Sequence, residues 1–276
     1  MSTQPLSRDE LVTRAGGVFD YVSASRLNLW LKCPRAFRLR YIDGIKTPTS
    51  PAAFVGKAVH LGLECFYRHR QLGLMLSPSD VASRVVNLWG QAVADEHMSF
   101  GSVAVEQACQ DQTLALVQAY LGQVPPSEQR PLAVEVAVEA PLVDPATGED
   151  LGMPLVGIMD LILPDADGPL IADFKTTARS GEPLAVVHEI QLGCYSFLFR
   201  HASGDSEGGL EIRNLIKTKI PKVQFHRYAA RNEKHFQRLF AVIRAYLDDL
   251  HSGKFLFRPG LGCTTCDFRS SCSGRD

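Results

Sequence analysis

A carboxylate pair and a lysine give this sequence its first sign of chemistry. Asp160 stands in Gly157-Ile158-Met159-Asp160-Leu161-Ile162; Asp173 and Lys175 stand in Ile171-Ala172-Asp173-Phe174-Lys175-Thr176-Thr177. Both segments are rich in β-branched and apolar residues and read as strands, with the turn supplied by Pro164-Asp165-Ala166-Asp167-Gly168-Pro169. Side chains alternate along a strand, so Asp173 and Lys175 share one face while Phe174 points to the other, toward the core. Asp160 on the neighbouring strand reaches the same edge. Two carboxylates and an ammonium gathered there suit a divalent cation and a phosphodiester: oxygen ligands hold the metal, and the lysine faces water or phosphate. The plainer alternative is a structural Asp160–Lys175 salt bridge, since an Asp-x-Lys triplet recurs by chance. An acid between Met159 and Leu161 nevertheless needs a partner or a solvent-facing edge, because burial without either is costly.

The elements that must carry these groups follow from periodicity and punctuation. Helical patterning runs from about Ser25 to Tyr41, with Ser23 or Ser25 as N-cap, from Phe54 to about His69, and from Pro78 to Leu121, where Pro125-Pro126 breaks it. Leu132 to Leu142 alternates as a strand and leads into the acidic hairpin; Glu135 on it is a further acid that points at the site in one of two orientations. Val186 to Arg200 is an apolar-faced helix, Leu210 to Lys217 and Val223 to Tyr228 are strands, and Asn232 to Ser252 is a helix. The pattern predicts an α/β protein: a mixed sheet flanked by helices. The divisions expected are a polar lead-in over 1–20, a helical region over 21–130, a sheet-bearing core over 131–255 and a cysteine loop over 256–276.

That loop carries Cys263-Thr264-Thr265-Cys266-Asp267-Phe268-Arg269-Ser270-Ser271-Cys272, a C-x2-C-x5-C run in a glycine-punctuated segment. Three thiolates leave a tetrahedral site one ligand short, and Cys33, in Lys32-Cys33-Pro34-Arg35, is the expected fourth. Cys65, Cys109 and Cys194 stand alone in apolar or helical contexts and read as small buried hydrophobes. Spacing alone leans to zinc, but thiolates also serve iron–sulfur clusters, and both occupants stay open at this point.

At 276 residues, 45% hydrophobic and 21% charged, the composition is that of an ordinary globular protein with ample core. There is neither the charged-then-apolar plan of a secretory signal nor an apolar run long enough to span a bilayer, so the expected location is the cytoplasm with no membrane partner. A net charge of −1 excludes a global positive field for nucleic acid. Contact with a phosphate backbone must therefore use local clusters, and the candidates are Arg35 and Arg38 near the first cysteine and Lys217 and Lys219 after the sheet. Trp30, Phe37 and Phe268 are aromatic residues that either stack on bases or pack the cysteine site.

The acidic hairpin resembles motifs II and III of the PD-(D/E)XK nuclease superfamily, and the resemblance continues along the chain. Ser23 to Phe37, including the Cys33-Pro34 pair, is similar to the opening helix of the RecB-like group. Gly56-Lys57-Ala58-Val59-His60 resembles that group's G-x-x-x-H motif, and Gln191-Leu192-Gly193-Cys194-Tyr195 its Q-x-x-x-Y motif. The landmarks fall in the group's order from about Ser23 to Cys272. Met159 replaces the proline of the superfamily's name, and a helical insertion over roughly 77–124 separates the histidine motif from the sheet.

The resemblance implies a restriction-endonuclease-like fold and a metal-dependent DNA nuclease acting as a single-strand exonuclease. Asp160, Asp173, His60 and the Phe174 carbonyl would hold Mg²⁺ or Mn²⁺, Lys175 would act on the water or phosphate, and Gln191 and Tyr195 would position the strand or the lysine. It also tips the cysteine site, Cys33, Cys263, Cys266 and Cys272, from Zn²⁺ to a structural 4Fe–4S cluster joining both chain ends. The substrate implied is DNA, single-stranded or with free ends, with a helicase or an integrase as partner and roles in DNA repair, CRISPR adaptation or defence. The alternatives are a CRISPR spacer-processing nuclease working with an integrase and a non-cleaving DNA-binding or scaffold subunit. Retention of Asp160, Asp173 and Lys175 argues against the scaffold.

Overall fold

A computed structural model describes residues 17–178 and 185–273. The polar lead-in expected over 1–20 lies largely outside the described residues. The order of elements is α1 (Ala24–Lys32), α2 (Pro34–Tyr41), α3 (Pro51–Gln71), α4 (Pro78–Asp95), α5 (Val103–Leu121), β1 (Ala133–Val143), β2 (Asp150–Leu163), β3 (Leu170–Thr177), α6 (Ala185–Ser203), β4 (Gly209–Ile216), β5 (Lys222–Ala229) and α7 (Glu233–Ser252). A 3₁₀ turn (Leu261–Thr265) and α8 (Arg269–Ser273) close the described chain. No helix among the described residues is long and apolar enough to cross a membrane.

The five strands form one mixed sheet in sequence order, with β3 and β4 parallel and the other neighbours antiparallel. Parallel neighbours need a crossover, and α6 provides it. Because strand side chains alternate, the sheet buries both faces. Ile162, Ile171, Leu210 and Ile212 pack with α1, α6 and α7; Leu161, Leu163, Ala172, Phe174 and Leu215 pack with α3, α4 and α5. The α/β class and the mixed sheet flanked by helices are as the patterning predicts.

Three boundaries differ, each for a local reason. The single helix expected from Ser25 to Tyr41 is two, because Cys33 is extended (φ −164°, ψ 109°) between α1 and α2. The ring of Pro34 disfavours a helical conformation at the preceding residue while suiting the first turn of the next helix. The helical stretch from Pro78 to Leu121 likewise divides, at a turn where His97 and Gly101 both have positive φ. β2 begins at Asp150, well before Gly157: Pro154 pairs with Pro141, where neither residue has an N–H to lose, and a register shift follows between Pro141 and Val143. Caps are those the sequence offers. Ser23 accepts from the Arg26 N–H, Ser50 and Ser77 cap helices that start on proline, and Asn232 caps α7.

Candidate active site

The site forms where the sheet opens. β2 and β3 pair only over Leu161–Ala172, Ile162–Ile171 and Leu163–Leu170, whereas β3 and β4 pair along eight positions. Asp160 and Asp173 are the next residues on their strands, so they face each other across the fork. The Asp160 carboxylate occupies it: Oδ2 accepts the Phe174 backbone N–H at 2.8 Å, a donor no longer served by strand pairing. On the other side β1 pairs through Val134–Leu161 and Val136–Met159 but skips Glu135, which would oppose Asp160. Glu135 has φ +48°, a left-handed conformation that costs a non-glycine residue about 1–3 kcal/mol. Its side chain is thereby redirected to the fork, where ligand atoms of Glu135, Asp160 and His60 all lie within 4.8 Å of one another.

Helices from both faces of the sheet meet at this opening. His60 comes from α3 on the Phe174 face, with Nδ1 3.6 Å from Asp160 Oδ2 and its ring edge-on to Phe174. Gly56, one turn earlier, lets it come so close: a Cβ there would lie 2.8 Å from Thr176 Oγ1 of β3. The spacing Gly-x-x-x-His thus reads as a contact point followed by the group it delivers, on one helical face. From the opposite face α6 delivers Gln191 and Tyr195. Gln191 Nε2 donates to Asp173 Oδ1 at 3.0 Å and to the Tyr195 hydroxyl at 2.8 Å; the Tyr195 hydroxyl donates to the same Oδ1 at 3.3 Å. Gly157 of β2 makes room for α6, since a Cβ there would lie 2.6 Å from Leu198. The sequence reading has Gln191 and Tyr195 positioning the strand or the lysine; the structure places both on the Asp173 carboxylate instead.

Asp173 Oδ2 is left differently. The Lys175 ammonium stands 2.6 Å from it and balances its charge. The ligand atoms drawn close enough to share one cation are those of His60, Glu135 and Asp160, while Asp173 stands next to them paired with Lys175. Electrostatics point the same way. Burial, followed by the charge of Asp173, pushes the Asp160 carboxyl up to about 6, with His60, Lys175 and the Phe174 N–H pulling it partly back. Burial and the two aspartates hold the Tyr195 phenol well above its ordinary range, so it remains a donor. Phe174 enters the site through its N–H; its ring is stacked on Tyr67 and edge-on to Tyr120.

Some candidates have other employment. Arg38 pairs with Asp43 at 3.3 Å, and Lys217 donates to the Ala52 carbonyl at 3.1 Å. Lys219 is exposed and Arg35 half-buried. Trp30, Phe37 and Phe268 are buried, which makes them packing residues; the Trp30 indole donates to Asp249. A buried network escapes sequence reasoning altogether. Arg213, the β4 neighbour of Phe174, is ion-paired to Glu128 and Glu211 and donates to Tyr67 and Tyr120. Its members are scattered from 67 to 213, and periodicity carries no sign of them.

The cysteines gather as well. Cys33, Cys263, Cys266 and Cys272 line one cavity of about 410 Å³, with Lys32, Arg258 and Arg269 also on its wall. Ala36, Leu39 and Phe268 form the apolar floor. The two chain ends are tied here by backbone: Arg35 N–H donates to Leu256 and the Arg258 side chain to the Leu31 carbonyl. None of the four is in a disulfide, and Cys33 sits in the extended link between α1 and α2. Cys109 and Cys194 are buried, as their apolar contexts suggest, whereas Cys65 is only half-buried on α3, with its sulfur 3.9 Å from His69 Nδ1.

A five-stranded mixed sheet with carboxylates and a lysine at an internal fork defines a class of phosphodiester-cleaving folds. The chain belongs to the PD-(D/E)XK nuclease superfamily: the family's model matches residues 21–273. No curated protein matches it in sequence. Among solved structures it is similar to one described as "Putative exonuclease" from Eubacterium rectale, at 13% identity over 99% of this chain and 94% of that one, with a TM-score of 0.62. A second, SSO0001, aligns at 15% identity over 97% and 92% with a TM-score of 0.46. At such identities the first likeness bears on the fold.

Proposed function

We propose that this protein is a metal-dependent deoxyribonuclease of the RecB-like type, acting as an exonuclease on single-stranded DNA or free ends. The observation that carries the reading is the fork itself, where His60, Glu135 and Asp160 converge beside the Asp173–Lys175 ion pair. In this reading His60, Glu135, Asp160, Asp173 and the Phe174 carbonyl hold Mg²⁺ or Mn²⁺. Such an ion supplies Lewis-acid polarisation of the scissile phosphate and makes water a stronger nucleophile at neutral pH. Lys175 orients the attacking water and offsets charge that builds on the phosphate oxygens as the new P–O bond forms and the old one breaks. Gln191 and Tyr195 fix the Asp173 carboxylate so that Oδ2 faces the reaction. Arg35, Arg38, Lys217 and Lys219 contribute backbone contacts, the first pair beside the cysteine cavity.

The cysteine site holds a structural 4Fe–4S cluster in this reading. A zinc ion with sulfur bonds of about 2.3 Å would draw its four thiolates to roughly 3.8 Å from one another. Among the described residues no three cysteine sulfurs come within 4.8 Å of each other, and the cavity between them is large. Lys32, Arg258 and Arg269 on its wall suit the negative charge of a thiolate-bound cluster. Helicase or integrase partners belong to this proposal through the resemblance alone.

The test is cleavage of end-labelled single-stranded DNA with Mn²⁺ by anaerobically purified protein, wild type against Lys175→Ala. Wild type is expected to cut and the variant to lose about 10²–10³-fold or more in rate. Absence of cutting by folded, cluster-loaded wild type would overturn the proposal.

A further inference from the structure

One polar strip beside the fork has no part in the chemistry described so far. In register, the position of Asp173 continues through Ile212 on β4 to His226 on β5, and that of Lys175 through Asn214 to Gln224. In-register neighbours project from the same side of a sheet, so His226 and Gln224 share the face of Asp173 and Lys175, two strand spacings or roughly 10 Å away. The first turn of α6 comes near this strip. His188 precedes Gln191 by three residues and Tyr195 by seven, which places the three on one helical stripe. His188 lies within electrostatic reach of Lys175, Asp173 and His226.

His188, Gln224 and His226 are all half-exposed as residues. Yet His226 Nε2 and Gln224 Oε1 are buried without a hydrogen-bond partner. Such atoms cost stability unless something satisfies them, and each asks for a ligand or a reason. The groups offered are amides and imidazoles; burial, followed by the Lys175 ammonium, holds His188 below its ordinary pKa. A phosphate would be met by guanidinium or ammonium groups. A metal would need ligand atoms drawn together, as at His60, Glu135 and Asp160. Amide and imidazole donors and acceptors set side by side match the hydrogen-bonding edge of a base.

We propose that Gln224, His226 and His188 form a nucleobase subsite next to the scissile phosphate, so that cleavage depends on the base of the adjoining nucleotide. The proposal rests on the nuclease reading above. The experiment compares kcat/KM with Mn²⁺ on four single-stranded oligonucleotides differing only in the base beside the cut, for wild type, Gln224→Leu and His226→Leu. Binding of the same four to wild type in Ca²⁺ is measured in parallel by fluorescence anisotropy. The wild type is expected to favour one base about tenfold or more, and each variant to compress that range to within about twofold. Because the substituted atoms have no partners, melting temperatures should hold or rise. Equal wild-type rates on all four bases, or variants that slow all four alike, would overturn the subsite. If the wild type cuts none of them, the nuclease reading fails by itself. The Ca²⁺ titration then decides the subsite: base-dependent binding keeps it, and uniform binding removes it.

Discussion

Asp160→Asn should make the metal-free protein more stable at neutral pH while destroying its site. The Asp160 carboxyl is buried, faces Asp173 across the fork, and is raised from 3.8 to about 6. A raised carboxyl titration favours the folded state below the unfolded pKa and loses that favour as pH climbs through the folded one, because the unfolded chain ionises freely. The window is therefore pH 4 to 6. At about 1.4 kcal/mol for each unit, the ionised Asp160 costs roughly 3 kcal/mol above that window. Asparagine keeps an acceptor for the Phe174 N–H and removes the charge. Thermal unfolding in EDTA should show the variant melting some 5–10 °C above wild type at pH 8, with the gain shrinking toward zero near pH 4. Adding Mn²⁺ should raise the wild type and leave the variant in place, closing the gap. A variant that melts at or below the wild type at pH 8 in EDTA, or a gain that ignores pH, would refute the claim that burial, with the neighbouring charge of Asp173, makes the ionised Asp160 costly at this fork.

Three further outcomes follow from contacts around it. Gly56→Ala should force α3 away from β3, because the new Cβ would lie 2.8 Å from Thr176 Oγ1; Mn²⁺ affinity by calorimetry should fall about tenfold or more. Adding Thr176→Ala should restore most of that loss, and failure of the double variant to recover would point to another cause. Tyr195→Phe removes a donor to Asp173 and a partner of Gln191, so kcat should drop roughly three- to tenfold with KM little changed. If the proposed 4Fe–4S cluster occupies the cysteine cavity, Cys266→Ser should abolish its visible absorption and lower the melting temperature by several degrees. Because the fork lies outside the cysteine cavity, residual folded enzyme should keep its Mn²⁺ dependence.

The division between what could be read in the sequence and what could not follows interaction range. Asp160, Asp173 and Lys175 announce themselves because strand alternation puts them on a known face within a few residues, and His60 and Gln191–Tyr195 because four-residue spacing sets one helical face. Register between strands, by contrast, is a tertiary fact. It makes Asp160 oppose Asp173 at the first unpaired position and gives Asp160 the Phe174 N–H in place of a strand partner. Glu135 sits on the boundary. Alternation leaves its direction open, and only the left-handed backbone at this position sends it to the site. The break at Cys33 was available in the Cys-Pro pair, since proline restricts the residue before it, yet apolar periodicity running through both helices masks it.

Breakage of regular structure is what assembles the chemistry. A fully paired β2–β3 ladder would bury the Phe174 N–H in a strand bond, leave Asp160 without its donor, and keep the two faces of the sheet apart. Opening it after Leu161 lets α3 from one side and α6 from the other reach the same two carboxylates. The glycines at 56 and 157 set how near each helix can come. The strain at Glu135 and the unfavourable ionisation of Asp160 are then two parts of one arrangement: both are costs of concentrating negative charge where a cation would cancel it. The same logic governs the far end of the molecule, where a proline-enforced break between α1 and α2 falls at Cys33, on the cavity it shares with the other three thiols. In both places a local rule of helix or strand is broken where side chains must converge, and the regular elements around it hold the break open.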